Sequence, residues 1–340
     1  MKKRILLKIL SLLLALSILA SVFSGCSRRH PGRDDGKISI VATIFPQYDF
    51  ARRIAGDRAD IHMLLKPGME AHSYEPSPKD IIDISKCDLF LNVGGESESW
   101  LDSVLESAGN PDIKIVSAMN CVDAIEEETS EGMQTREHHH TEEKHTHENE
   151  SDSDHHHHDG EEEEEEYDEH VWTSPMNAIA IVNEINAALC ELDPDNAEYY
   201  CANTNEYVSE LMELDISIRS VIAESKRNLL VFGDRFPLLY FVKEYGLDYY
   251  AAFPGCAAET EPSAATVAFL INTVRREKVP VVFYIELSNH KIADAIAEST
   301  GTKAAQFNTC HNISADDFKA GESYLSLMRA NVDILREALH

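Results

Sequence analysis

The sequence predicts an α/β protein of two lobes, each a four-stranded, mainly parallel sheet flanked by helices, with a long rigid helix joining them. Three observations carry this expectation. Apolar runs rich in Val, Ile and Phe recur eight times with helical stretches between them, the signature of parallel strands covered on both faces. The runs fall into two sets of four, at 37–119 and 228–308. Between the sets lie about 55 residues with helical periodicity and no strand pattern around 175–225, read as two helices.

In chain order, the first feature is Met1-Lys2-Lys3-Arg4, followed by an apolar stretch from Ile5 to Phe23 and then Ser24-Gly25-Cys26. A basic start, an apolar middle and small residues before a cysteine predict a lipoprotein signal peptide over 1–25. Cys26 is then the acylated first residue and 26–36 a tether. Leu is usual at the position of Phe23. The competing reading is an uncleaved membrane span, since the run is nearly long enough. One acyl chain binds only marginally, so two or more are expected on Cys26.

The first lobe is expected over 37–192, with strands in "KISIVATIF" (37–45), "ADIHMLL" (59–65), "CDLFLNVG" (87–94) and "IKIVSAM" (113–119) and helices at 76–86 and 99–108. "PMNAIAIVNEINAALCEL" (175–192) reads as one helix. The linking helix is expected within 193–226, with Pro194 in its first turn. The second lobe, 227–340, has strands in "NLLVFGD" (228–234), "DYYAAFP" (248–254), "VVFYIE" (281–286) and "AAQFN" (304–308). Its helices are expected at 262–278, 288–300 and about 316–339, the last packing on the second lobe.

The span 123–168 has almost no apolar content and is expected to be a disordered loop. The formal net charge is −30, and residues 126–169 alone hold twenty carboxylates against Arg136 and Lys144. No basic stripe exists, so nucleic acid is not an expected partner; an acidic surface attracts cations instead. Within the span lie nine histidines: His138, His139, His140, His145, His147, His155, His156, His157 and His158. The run is internal, which argues against a purification tag. It is read as a weak collector of several metal ions, with a plain spacer as the alternative.

Seven cysteines are present, and outside the cytoplasm they can pair. Cys256 and Cys310 fall in loops after strands and are candidates for a disulfide; Cys190 and Cys201 flank an "LDPD" turn. Spacing alone proves neither bridge. Cys87 and Cys121 read as core thiols.

In open parallel sheets ligands bind beyond the carboxyl ends of the strands. The residues placed there include His72, His170, Asp234, Glu286 and the pair Cys310-His311. All can ligate cations, which predicts a metal site between the lobes. Asp234 can instead cap the next helix or pair with Arg235, and Glu286 can orient a histidine. His290, at a helix start, reads as a surface residue, and His62, inside a strand, as structural.

At these residues the chain resembles the metal-specific solute-binding proteins of ABC importers, the zinc- and manganese-binding lipoproteins. "PGMEAHSYEPSPKDI" (67–81) resembles their first metal motif and "DEHVWTSPMNA" (168–178) their second; "EYGL" (244–247) also fits. The likeness extends over nearly the whole mature chain. It implies two four-stranded lobes on a rigid helix, one divalent ion in the cleft and delivery to a membrane permease. It also implies a His- and acid-rich loop before the second ligand in zinc members. His72 and His170 carry over as ligands. The family's usual His or Glu after the fifth strand is absent, since Gly233-Asp234-Arg235 stands there. The second-lobe ligands are therefore Asp234, with Glu286 and His311 competing for the remaining place.

Two or three imidazoles favour Zn2+ over Mn2+, which prefers oxygen donors. Mn2+ is the alternative, favoured if Asp234 and Glu286 complete the site. The expected protein is a monomeric extracytoplasmic zinc receptor, lipid-anchored to the bacterial membrane, and not an enzyme. A zinc hydrolase lacks its usual signature here, since no HExxH occurs. A surface adhesin is a third reading.

Overall fold

The computed structural model describes residues 37–71, 74–133, 166–256 and 261–340. The expected signal peptide, Cys26, His72 and the nine-histidine run lie outside the described residues.

The first sheet comprises β1 (Ile38–Ala42), β2 (Ala59–Met63), β3 (Leu89–Asn92) and β4 (Lys114–Ser117), in the order β2-β1-β3-β4. The second comprises β5 (Leu229–Phe236), β6 (Asp248–Pro254), β7 (Val281–Ile285) and β8 (Lys303–Phe307), in the order β6-β5-β7-β8. Every pairing in both sheets is parallel. The helices are α1 (Phe45–Ala55), α2 (Pro78–Lys86), α3 (Leu101–Ala108), α4 (Pro175–Leu192) and α5 (Ala197–Ala223). They continue with α6 (Leu239–Tyr245), α7 (Ala264–Glu277), α8 (Lys291–Thr300), α9 (Ala315–Ala320) and α10 (Tyr324–Leu339).

Strand alternation divides the apolar residues between a shared centre and two outer faces. Ile40, Leu89 and Leu91 of the first sheet and Leu230, Phe232 and Phe283 of the second belong to one core, which continues through Tyr207, Leu211, Leu214 and Ile218 of α5. Val41 and Phe90 face outward against Ile84 and Val104. Val231 and Val282 face outward against Leu270 and Ile296. Phe232, Phe283 and Phe307 pack at centroid distances of 5.1–6.0 Å, and each such buried side chain contributes about 1.5–3 kcal/mol. Residues Ile38–His340 accordingly form one compact unit.

Local signals account for the helix starts. Ser77 and Asp80 make a capping box at α2, with Pro78 in the first turn. The Ser174 hydroxyl accepts from the Met176 and Asn177 amides at α4, with Pro175 following.

Several expectations are corrected. The run 37–45 holds a short strand and then the start of α1, because Pro46 favours a first helical turn after Phe45. The last helix is two, broken at Gly321, whose φ of 84° is left-handed. Its longer part, α10, rests on α5 and α1 as well as on β5 and β8. The acidic span is structured at both ends. Glu126 bridges Tyr167, the Glu127 amide donates to the Glu166 carbonyl at 2.8 Å, and the Asp168 amide donates to the Ile125 carbonyl at 2.9 Å. Ile125 and Met133 pack on the central core, and that apolar contact explains the order there.

Candidate metal centre

His170 stands at the end of this neck and begins the turn into α4. Its carbonyl accepts from the Thr173 amide at 3.1 Å and the Thr173 hydroxyl at 2.7 Å, which closes a 3-10 turn before the Ser174 cap. The ring is fully buried. Its Nδ1 lies 3.1 Å from Asp168 Oδ1, which also accepts the His170 amide at 2.7 Å. A carboxylate only accepts, so Nδ1 carries the proton and Nε2 is the basic nitrogen, the tautomer a metal ligand needs. Gly255 lies close: a Cβ there would come within 3.2 Å of His170 Cε1.

His311 arrives from the second lobe. Its ring centroid lies 5.0 Å from that of His170 and 5.0 Å from Trp172. Trp172 Nε1 donates to the Thr309 carbonyl at 2.9 Å, and the Tyr324 hydroxyl donates to the Trp172 carbonyl at 2.7 Å. The buried indole thus ties the second-lobe loop to the His170 turn.

Glu286 follows β7 and organises that loop. Its carboxylate accepts from the Thr309 amide at 2.7 Å, the Thr309 hydroxyl at 2.6 Å and the His311 amide at 3.0 Å. Burial pushes its carboxyl above the ordinary value, and the Thr309 and His311 donors pull against that. Two neighbours hold left-handed backbone despite having side chains: Leu287 at φ 62° and Cys310 at φ 60°. Such conformations persist where surrounding structure enforces them.

Asp234 sits within β5 rather than at its end. Its Oδ1 accepts the Arg235 amide at 2.8 Å and its Oδ2 accepts the Ile285 amide at 3.2 Å, which leaves a second lone pair on each oxygen. Arg235 does not pair with it. The guanidinium reaches across to Glu70 at 3.2 and 3.0 Å, a two-pronged bond between the lobes. Gly233 is glycine for a packing reason, since a Cβ there would lie 2.6 Å from the Ala293 Cα of α8.

A cavity of about 30 Å³ is lined by Ala71, Arg235, Ile285, Glu286 and His311, among others. A second of about 20 Å³ is lined by Ala71, Glu98, Glu169, Trp172 and His311. Ala71 lines both cavities and Tyr74 the second. Asn312 fastens the same loop, donating to the Lys66 and Met69 carbonyls at 2.9 and 2.8 Å. The structure thus sets the His170 and His311 rings side by side and Glu286 on the backbone of the His311 loop, with Asp234 one strand away; among the described residues the only three with ligand atoms all within 4.8 Å of one another are His62, Asp80 and Asp83.

Other candidates fall elsewhere. Cys256 and Cys310, like the four other described cysteines, are unbonded in the structure. Cys310 is buried in the central core, where burial pushes its thiol well above the ordinary value and the Glu286 and Asp49 carboxylates add to the effect. Cys256 faces Glu127 and Asp168 instead. His290 caps α8 at the surface with its Nδ1 2.8 Å from Asp294. His62 is half-exposed beside Asp83. Asp168 was not among the sequence candidates, although the carboxylate two residues before His170 was a visible cue. The interlobe pair Glu70–Arg235 had no such cue.

Residues 40–338 match the family model described as zinc-uptake complex component A, periplasmic. The high-affinity zinc uptake system protein ZnuA of Bacillus subtilis is 32% identical over 308 residues, 89% of this chain and 88% of its own. The zinc-binding lipoprotein AdcA of Streptococcus pneumoniae is 31% identical over 334 residues, 97% of this chain but 61% of its own length. Among solved structures, the Zn(II)-bound ZnuA-like domain of that AdcA superposes with a TM-score of 0.69 at 27% identity, covering 89% of this chain and 99% of the domain. The metal-dependent lipoprotein YcdH of Bacillus subtilis gives 0.70 at 29%, with coverage of 89% and 99%.

Proposed function

The chain belongs to the family of the periplasmic zinc-uptake complex component A, and from that premise we infer that it is an extracytoplasmic receptor that captures Zn2+ in the cleft and delivers it to the permease of an ABC importer. The observation that carries the reading is the His170–His311 pair, two imidazoles from different lobes at 5.0 Å with His170 held in the ligating tautomer by Asp168. His72 joins them from the first-lobe motif, and a carboxylate completes a tetrahedral set. Glu286 is the first candidate because it holds the His311 loop, and Asp234 is the alternative. Nitrogen donors select Zn2+ over Mn2+. The protein is not an enzyme.

Capture needs little rearrangement, because Trp172, Asn312 and Arg235 already hold the lobes together. Release requires the permease to disturb the loop that carries His311, which is held by hydrogen bonds to Glu286, from Trp172 and through Asn312. We further propose that Cys26 carries the lipid anchor, that the chain acts as a monomer and that the histidine run gathers ions at low affinity. The pneumococcal relative named a lipoprotein supports the anchor.

The test is a competition titration of metal-stripped protein lacking 130–165 against a chromogenic chelator, with Zn2+ and Mn2+ compared, alongside His72→Ala. One tight Zn2+ equivalent that disappears in His72→Ala is expected, with affinity within about threefold of the intact chain and fewer ions bound in total. Preference for Mn2+ would move the ligand set to the carboxylates. No tight metal at all would sink the cleft reading.

A further inference from the structure

Far from the cleft, α4 and α5 run side by side around the turn Pro194–Asn196. Cys190 sits in the last turn of α4 and Cys201 in the second turn of α5. Their sulfurs are 3.8 Å apart, eleven residues apart in sequence, and Cys201 is exposed while Cys190 is half-buried. Asn186 touches both, its Oδ1 3.7 Å from Cys190 Sγ and its Nδ2 3.8 Å from Cys201 Sγ. A disulfide needs about 2.05 Å between sulfurs, which side-chain rotation can supply from contact distance. The other described cysteines are poorly placed to compete. Cys87 and Cys310 are buried, and burial pushes the Cys121 thiol up to about 11 and the Cys256 thiol well above the ordinary value.

We propose that Cys190 and Cys201 form a disulfide that staples the α4–α5 hairpin in the oxidising extracytoplasmic space. The inference does not depend on which ion the cleft holds. The oxidant is a disulfide-bearing molecule, protein or small thiol. The exposed Cys201 thiolate attacks it, forming a mixed disulfide and expelling one thiolate. Cys190 then loses its proton and attacks Cys201 Sγ, expelling the second. The two protein thiols lose two electrons and two protons, and the oxidant becomes two thiols. The staple sits at the opposite end of α4 from the Ser174 cap beside His170. It therefore fixes the helix that bears the His170 turn against the linking helix.

The test uses the full chain, reduced, freed of reductant and held with oxidised glutathione and a chelator. It is then acid-quenched, alkylated in denaturant and cleaved after Glu191, which separates the two cysteines. Linked peptides carrying Cys190 and Cys201, about 2 Da lighter than the two thiols, with the other described cysteines alkylated, are expected. Reductant should lower the thermal midpoint by about 3–5 °C in the native sequence and by less than about 1 °C in Cys201→Ser. A stable glutathione adduct on Cys201 with Cys190 alkylated would overturn the proposal. So would either cysteine linked elsewhere, or protection of both thiols only when the chelator is omitted. A linked pair whose reduction leaves the midpoint unmoved would overturn the stapling role.

Discussion

His170 depends on its neighbour two residues back. The Asp168 carboxylate receives both the backbone amide and the ring Nδ1 of His170, so one side chain sets the loop, the ring orientation and the tautomer. Asp168→Asn removes the charge that favours an Nδ1 donor and lets the amide present a donor of its own. The expected result is Zn2+ affinity lower by about 10–100-fold with the thermal midpoint of the metal-free protein little changed, measured by chelator competition and calorimetry. Equal affinity in the variant would mean that backbone geometry alone positions the imidazole. The histidine was legible from "DEHVWTSP"; the role of Asp168 was not, because it requires the turn that folds residue 168 back onto residue 170. Gly233 shows the converse. Its missing side chain reads in sequence as a lost ligand, while in the fold it is where α8 meets β5.

At the scale of elements, the loops beyond the strands are held by buried carboxylates. Glu98 folds back on the end of β3, accepting from Asn92 Nδ2 at 3.0 Å and from the Val93 and Gly94 amides at 2.9 and 2.8 Å. Desolvation outweighs these bonds and raises its carboxyl above the ordinary 4.5. At low pH the group is protonated in both folded and unfolded states. As pH rises through the window from 4.5 to the raised folded value, the unfolded chain ionises first, so stability declines with pH there and is level above it. Glu98→Gln removes that dependence. The midpoint of the native sequence minus that of the variant should therefore fall between pH about 4 and pH about 7, read by thermal melts in matched buffers. A difference that rises with pH would mean the donors dominate instead. Periodicity showed where β3 lies, but not that Glu98 closes it, since that return spans a turn governed by Gly94 and Gly95 at φ 87° and 93°.

At the scale of the whole molecule, the two sheets share one apolar core through α5, and Asp49 of α1 accepts the Tyr324 amide at the start of α10 at 3.0 Å. Lobes joined in this way have little freedom to open as rigid halves. Zn2+ loading is expected to change the radius of gyration, roughly 19 Å for a compact unit of this size, by less than about 1 Å in solution scattering. A change of several ångströms would show a hinge that this core does not predict. The Arg235–Glu70 bond contributes only about 0–1 kcal/mol, because Glu70 is half-exposed; the apolar core supplies the coupling.

Periodicity and punctuation by themselves determined the eight strands, the linking helix and the loops that bear His170, Glu286 and His311, because each is a local consequence of burial pattern and strand-end position. Tertiary structure decided what depends on groups distant in sequence. It set His311 beside His170, turned Glu286 toward the Thr309–His311 loop and sent Arg235 across to Glu70. It also placed Cys310 in the core, and set Cys190 against Cys201. The physical reason is that strand and helix periods specify which face a residue occupies, whereas a contact also requires the packing of two elements against a common core. That packing is set by the summed fit of many side chains rather than by any one motif.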